Sequence, residues 1–128
     1  MSYEEIYKSK LMTADEAVAA HIKSGDKIWL GGLSVADKAL SCVIEKVKQG
    51  ALENIDFYGN MTMDDIGLAD KDIPADKFRY HAFFYGGYER EGCKNGVVTN
   101  VPLHLSRFED YVSYIAVSYT HLTLPTIL

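Results

Sequence analysis

The residues of this chain that could do chemistry are scattered. His21 sits on a helical stretch with Ala17 and Val18, His81 lies within a strand-like run, His104 is near a helix start, and His121 falls in the last segment. None is spaced with cysteine or a carboxylate as a metal set, so core or surface histidines are the expectation. Ser34 and Ser41 lack the strand–turn–helix context of a nucleophile elbow. Cys42 and Cys93 form no CxxC pair and read as reduced thiols of a cytosolic protein. Asp64-Asp65 is a paired carboxylate that reads as a solvated turn. Gly31-Gly32 lacks the spaced glycines of a dinucleotide fingerprint, and no G-K-[ST] follows Gly96-Val97 to make a phosphate loop.

The bulk composition bounds the function. The net charge of −5 comes with no basic patch or stripe, which excludes a typical nucleic-acid binder. Hydrophobic content of 48% with 24% charged residues is that of a globular domain. The longest uncharged run, Tyr111–Leu128, is too polar for a membrane span. Neither a membrane partner nor a secretory signal is expected.

The elements that position these residues follow from local pattern. Tyr3–Met12 reads as a short helix. Thr13-Ala14-Asp15-Glu16 matches a capping box ahead of a helix bearing Ala14, Ala17, Val18 and Ile22 on one face, with Gly25 as its stop. Lys27–Leu30 reads as a buried strand before Gly31-Gly32. Leu40, Val43, Ile44 and Val47 have helical spacing within Ala36–Gln49, ended by Gly50. Ile55–Tyr58 is a second strand, closed by Gly59-Asn60. Met61–Pro74 is irregular, with a turn of helix near Asp65–Ala69. Phe78–Tyr85 is a third strand, ended by Gly86-Gly87, and Tyr88–Asn95 a short helix in which Gly92 is a weak point. Gly96–Asn100 is a fourth strand, Pro102–Asp110 starts a helix, and Tyr111–Val117 is a last strand.

Strands alternating with helices predict an α/β fold with an open, mostly parallel sheet and flanking helices. Ligands of such sheets bind outside the carboxyl ends of the strands. The glycine-bearing loops there, with Gly31, Gly32, Asn60, Gly86 and Gly87, are the expected substrate-binding positions. The competing reading is that the glycines only serve turns that need positive φ.

Val117–Thr126, "VSYTHLTLPT", matches residue for residue one reading frame of a widely used transposon-end sequencing adapter. Residues 117–128 are therefore expected to be a non-native tail, and 1–116 an incomplete domain.

Several segments carry a family resemblance. "KLMTADEAVAAHIKSGDKIWLGG", with Thr13–Val18 and Ile22–Asp26 as its motifs, resembles the opening of the acetyl-CoA hydrolase/transferase family, which includes 4-hydroxybutyrate CoA-transferase and butyryl-CoA:acetate CoA-transferase. Ala19-Ala20-His21 is a longer spacer than is usual there. Phe78–Gly87 resembles the family's F-R-H-x-x-F-x-G strand. Val101–Ser106 resembles its P-x-x-L-S-E segment, with Arg107 in place of the acid. Asn60–Asp76 is the least matched stretch.

The resemblance implies the N-terminal part of a transferase that moves CoA between a short-chain acyl-CoA and a carboxylate such as acetate. A glutamate attacks the thioester and passes through an acyl-glutamyl anhydride to a glutamyl-CoA thioester. Hydrolysis is the alternative outcome, with water as acceptor. A stand-alone CoA- or nucleotide-binding module is the rival from another class. The catalytic glutamate is expected outside this chain, so no catalytic residue is assigned, and Glu89 and Glu91 do not match its motif. Coenzyme A is expected as a substrate rather than a permanent cofactor. The parent is expected to be cytoplasmic and homo-oligomeric.

Overall fold

A computed structural model describes residues 2–30 and 36–116. The element order is α1 (Tyr3–Lys10), α2 (Ala14–His21), β1 (Lys27–Trp29), α3 (Asp37–Lys48), β2 (Ile55–Gly59), β3 (Phe78–Ala82), α4 (Gly87–Lys94), β4 (Val98–Asn100), a 3-10 turn at Leu105–Arg107 and α5 (Phe108–Ala116). The strands form one sheet in the order β1-β2-β3-β4, and every pairing is parallel. The expected α/β class and parallel sheet are thus observed.

Two helix starts follow directly from sequence. Thr13 accepts from the Glu16 N–H at 3.3 Å, and Glu16 accepts from the Thr13 N–H at 2.8 Å. This is a reciprocal capping box, and Ser2 with Glu5 makes another at α1. Gly50 lies just past α3 with φ 76°, the left-handed conformation that glycine adopts at no steric cost. Gly25 also has positive φ but does not stop α2, which ends at His21. It sits in the turn into β1 and donates to Glu53 O at 2.9 Å.

Strand alternation gives the sheet two different faces. Ile28, Phe57, Tyr80 and Val98 are register partners on one face and are buried. Helices α2 and α3 add Val18, Leu40, Val43, Ile44 and Val47 to this core, and residues 66–73 add Ile66, Leu68 and Ile73. The other face carries the register rows Lys27, Asp56, Arg79 and Trp29, Tyr58, His81, Thr99. There His81 stacks on Tyr58 with ring centroids 4.5 Å apart, and its Nε2 lies 3.0 Å from Asp56 Oδ1.

The expected last strand at Tyr111–Val117 is instead helix α5, within its described part. The β-branched and aromatic residues suggested a strand, but Phe108 and Tyr111 share a helical face. Phe108 packs edge-on against Trp29 and Phe83 at 5.2 and 5.1 Å, and Tyr111 against Phe83 at 5.4 Å. That aromatic cluster outweighs local strand preference. The helix expected from Pro102 begins later, with the turn at Leu105. The expected turn of helix near Asp65–Ala69 is absent, because Asp65 Oδ1 accepts from the Gly67 N–H at 2.8 Å and holds a side-chain turn instead.

Candidate functional site

The carboxyl ends of the parallel strands bring together the described segments that follow β2, β3 and β4. Gly31 and Gly32, expected to line the site, lie outside the described residues, as do Leu33, Ser34 and Val35. Asn60 follows β2 directly and is half-buried. Gly86 and Gly87 do not end β3, which stops at Ala82. Gly86 is the N-cap of α4, and Gly87 its first residue. The described strands run in sequential order, so the reversal of strand order that opens a ligand crevice in many such sheets is not formed by these strands alone.

The glycines here have reasons other than positive φ. Among the described glycines, φ is positive at Gly25, Gly50, Gly67 and Gly96 only. A Cβ on Gly59 would lie 2.8 Å from Leu30 Cβ, so β2 needs glycine for close packing against the residue after β1. At Gly86 a Cβ would lie 2.7 Å from Glu89 Oε2. At Gly87 a Cβ would meet nothing within 4 Å, so neither turn geometry nor packing requires glycine there.

Glu89 was not a candidate from sequence, yet it is the central side chain of this edge. It is fully buried. Oε1 accepts from the Thr62 N–H at 2.6 Å and from Thr62 Oγ1 at 2.8 Å, and Oε2 accepts from the Gly86 N–H at 2.8 Å. Thr62 is itself buried. A buried carboxyl survives only with its oxygens satisfied, and these three donors do so. The one available sequence signal was position: Glu89 is the third residue of α4, where a glutamate reaches back to the N-cap N–H.

Two tyrosines respond to this environment. The Tyr80 hydroxyl is buried with no hydrogen-bond partner among the described residues, and burial and then the Glu89 charge push its pKa well up. Tyr85 is pushed up to about 12, chiefly by burial, with its hydroxyl 3.7 Å from Cys93 Sγ. At the start of α3, Asp37 has no side-chain cap ahead of it, and its Oδ1 has no partner among the described residues. Burial and then the Asp64 carboxyl raise its pKa. Asp64-Asp65, expected as a solvated turn, is exposed, but Asp64 also faces Asp37.

Cys42 and Cys93 are free thiols, half-buried and exposed respectively. Among the described residues no cluster of His, Cys, Asp and Glu could hold a metal, and no helix is long and apolar enough to cross a membrane. His21 and His104 are exposed.

Fold and edge together define an open parallel α/β domain in which Glu89 joins the segment after β2 to the start of α4. Residues 1–124 match the model of the acetyl-CoA hydrolase/transferase N-terminal domain, a match that enters the segment resembling adapter sequence. The chain is 36% identical over 111 residues to butyryl-CoA:acetate CoA-transferase of Anaerostipes caccae, covering 87% of this chain and 24% of that protein. Among solved structures it is similar to RipA from Yersinia pestis, with TM-score 0.68 and 20% identity over 84% of this chain and 27% of that one. A RipA variant gives 0.69 and 20%, over 86% and 27%. The chain belongs to the acetyl-CoA hydrolase/transferase family, as its N-terminal domain. It spans about a quarter of the length of the curated and structural relatives it matches.

Proposed function

We propose that this domain forms one wall of the acyl-CoA and carboxylate pocket of a CoA-transferase. In this reading the parent enzyme moves CoA from a short-chain acyl-CoA to a carboxylate such as acetate. A glutamate outside this chain carries the glutamyl-CoA thioester, and splitting the transfer into two steps is what covalent catalysis contributes. Coenzyme A is a substrate that enters and leaves. The single observation that carries the reading is the 36% identity to a butyryl-CoA:acetate CoA-transferase across most of this chain.

Within the wall, Gly31, Gly32, Asn60, Gly86 and Gly87 are the proposed contact positions. Gly87 has the best claim, because neither turn geometry nor packing accounts for it. Backbone N–H groups at such loops suit an oxyanion or a carboxylate. The parent is proposed to be cytoplasmic and homo-oligomeric, and residues 117–128 to be adapter-derived. Resequencing the source DNA beyond Ser118 tests that last point, and persistence of the string would refute it.

The function is tested by assaying butyryl-CoA with acetate. We expect no turnover from the 128-residue chain, and acetyl-CoA formation by the protein encoded by the continuing reading frame. Butyryl-CoA consumption without dependence on acetate would favour the hydrolase alternative. Calorimetric titration of the chain with CoA and NAD addresses the stand-alone binding module, which tight binding would favour.

A further inference from the structure

We propose that Glu89 is a positioning residue that clasps the segment after β2 to the start of α4 and so sets the shape of the pocket wall. The inference rests on the reading of these segments as a wall, and adds to it a residue that makes the wall rigid.

Three observations converge on the clasp. Each carboxyl oxygen serves a different segment. Oε1 takes both donors of Thr62, two residues beyond Asn60, while Oε2 takes the Gly86 N–H next to Gly87. Glu89 and Thr62 are the buried polar residues of the described core. The contact is also tight, because a Cβ on Gly86 would sit 2.7 Å from Glu89 Oε2 and 3.6 Å from Met61 Cβ. With two donors on Oε1 and one on Oε2, the carboxylate has little freedom to move aside. Backbone hydrogen bonds between β2 and β3 run from Ile55 to Ala82, and Phe83 N–H adds a last bond to Gly59 O. Beyond that point Glu89 joins the two segments at Thr62 and Gly86, and Asn95 Nδ2 donates to Ala69 O at 2.8 Å at the far end of α4.

A capping role alone would need only the Gly86 bond. The Thr62 bonds reach 27 residues away in sequence and do nothing for the helix. They hold the segment that starts at Asn60.

Glu89→Gln tests this with little change in shape. An amide offers one acceptor oxygen and one donor group, so it cannot accept from both segments. We expect amide hydrogen exchange in the 128-residue chain to speed about tenfold or more at Thr62 or Gly86, the scale of one lost hydrogen bond to a buried group. Exchange at Phe57 and Tyr80, in the sheet, should stay within about twofold of wild type. If Glu89→Gln fails to fold, Thr62→Val removes only the hydroxyl donor and should show the same local pattern around Met61–Thr62. Uniform acceleration across sheet and wall in both variants would overturn the clasp, as would unprotected Thr62 and Gly86 amides in the wild-type chain.

The positioning role is read in the longer enzyme. There Glu89→Gln should raise KM for the carboxylate acceptor about tenfold with kcat within about twofold, because a misplaced wall loses binding rather than chemistry. Unchanged KM with only a lower Tm would reduce Glu89 to a stability element and overturn positioning. If the wild-type enzyme shows no transferase activity, the family function fails while the exchange result still decides the clasp.

Discussion

Gly87 and Gly92 share helix α4 and meet opposite surroundings. A Cβ on Gly92 would lie 2.5 Å from Val98 Cγ2 and 3.1 Å from the Leu68 carbonyl oxygen. Gly92 is therefore a point of close approach between α4 and the sheet rather than a weak point in the helix. Gly92→Ala should cost about 1–3 kcal/mol by urea denaturation, since overpacking exceeds the gain in helix propensity. Gly87→Ala meets open space and should leave stability unchanged or raise it by up to about 1 kcal/mol. A loss of acceptor binding in that stable variant would be specific to the wall. Asp37 gives a pH-dependent prediction at the same scale. Burial, then the Asp64 carboxyl, raises its pKa in the folded state. Between the unfolded value of about 3.9 and the raised folded value, the folded state keeps a proton that the unfolded state has released, so stability falls as pH rises through that window. Asp37→Asn should therefore be more stable than wild type at pH 7, with the difference closing as pH falls below about 4. Thermal melts across that range check it, and a constant difference at all pH values would show that the carboxyl is not the cause.

Helices divide into those held by local signals and those held by packing. Helix α2 is of the first kind. Thr13→Ala removes a reciprocal cap at an exposed site and should cost about 1 kcal/mol in the denaturation midpoint. The same box was legible in sequence, because Ser/Thr and Glu at that spacing have one local use. The core helix α3 was equally legible, since Leu40, Val43, Ile44 and Val47 keep one face over its full length. Helix α5 is of the second kind, and its sequence of aromatic and β-branched residues misleads. What decides it is contact with Trp29 and Phe83, far away in sequence, which no local pattern reports. The clasp was hidden for the same reason: Glu89 looks like one more surface acid of a helix with Arg90 and Glu91 beside it, and only the fold brings Thr62 to it. Trp29 is the single tryptophan and so reports on α5 directly. Phe108→Ala should move its emission to the red and cost at most about 3 kcal/mol, the lower end for a buried phenylalanine because Phe108 is half-buried. No change in emission would mean α5 does not dock there.

At the scale of the molecule, the sheet is unequal on its two faces. Parallel sheets are usually covered on both sides. Among the described residues, the helices α2 and α3 and the segment 66–73 build the core on one face, while the other presents Asp56, Arg79, His81 and Thr99, with α5 covering the end near Trp29. Stability should follow the covered face. Ile44 is 1% exposed and central to the core, so Ile44→Ala should cost about 2–5 kcal/mol. That is a large share of the roughly 5–15 kcal/mol that holds a domain together. Arg79 is exposed on the other face, and Arg79→Ala should stay within about 0.5 kcal/mol. The pair is measured by urea denaturation at several protein concentrations. An Arg79→Ala cost that grows with concentration would show that copies of the chain cover the polar face in solution. A concentration-independent gap between the two variants is expected, because Arg79 is exposed on that face and an exposed charge contributes little to stability.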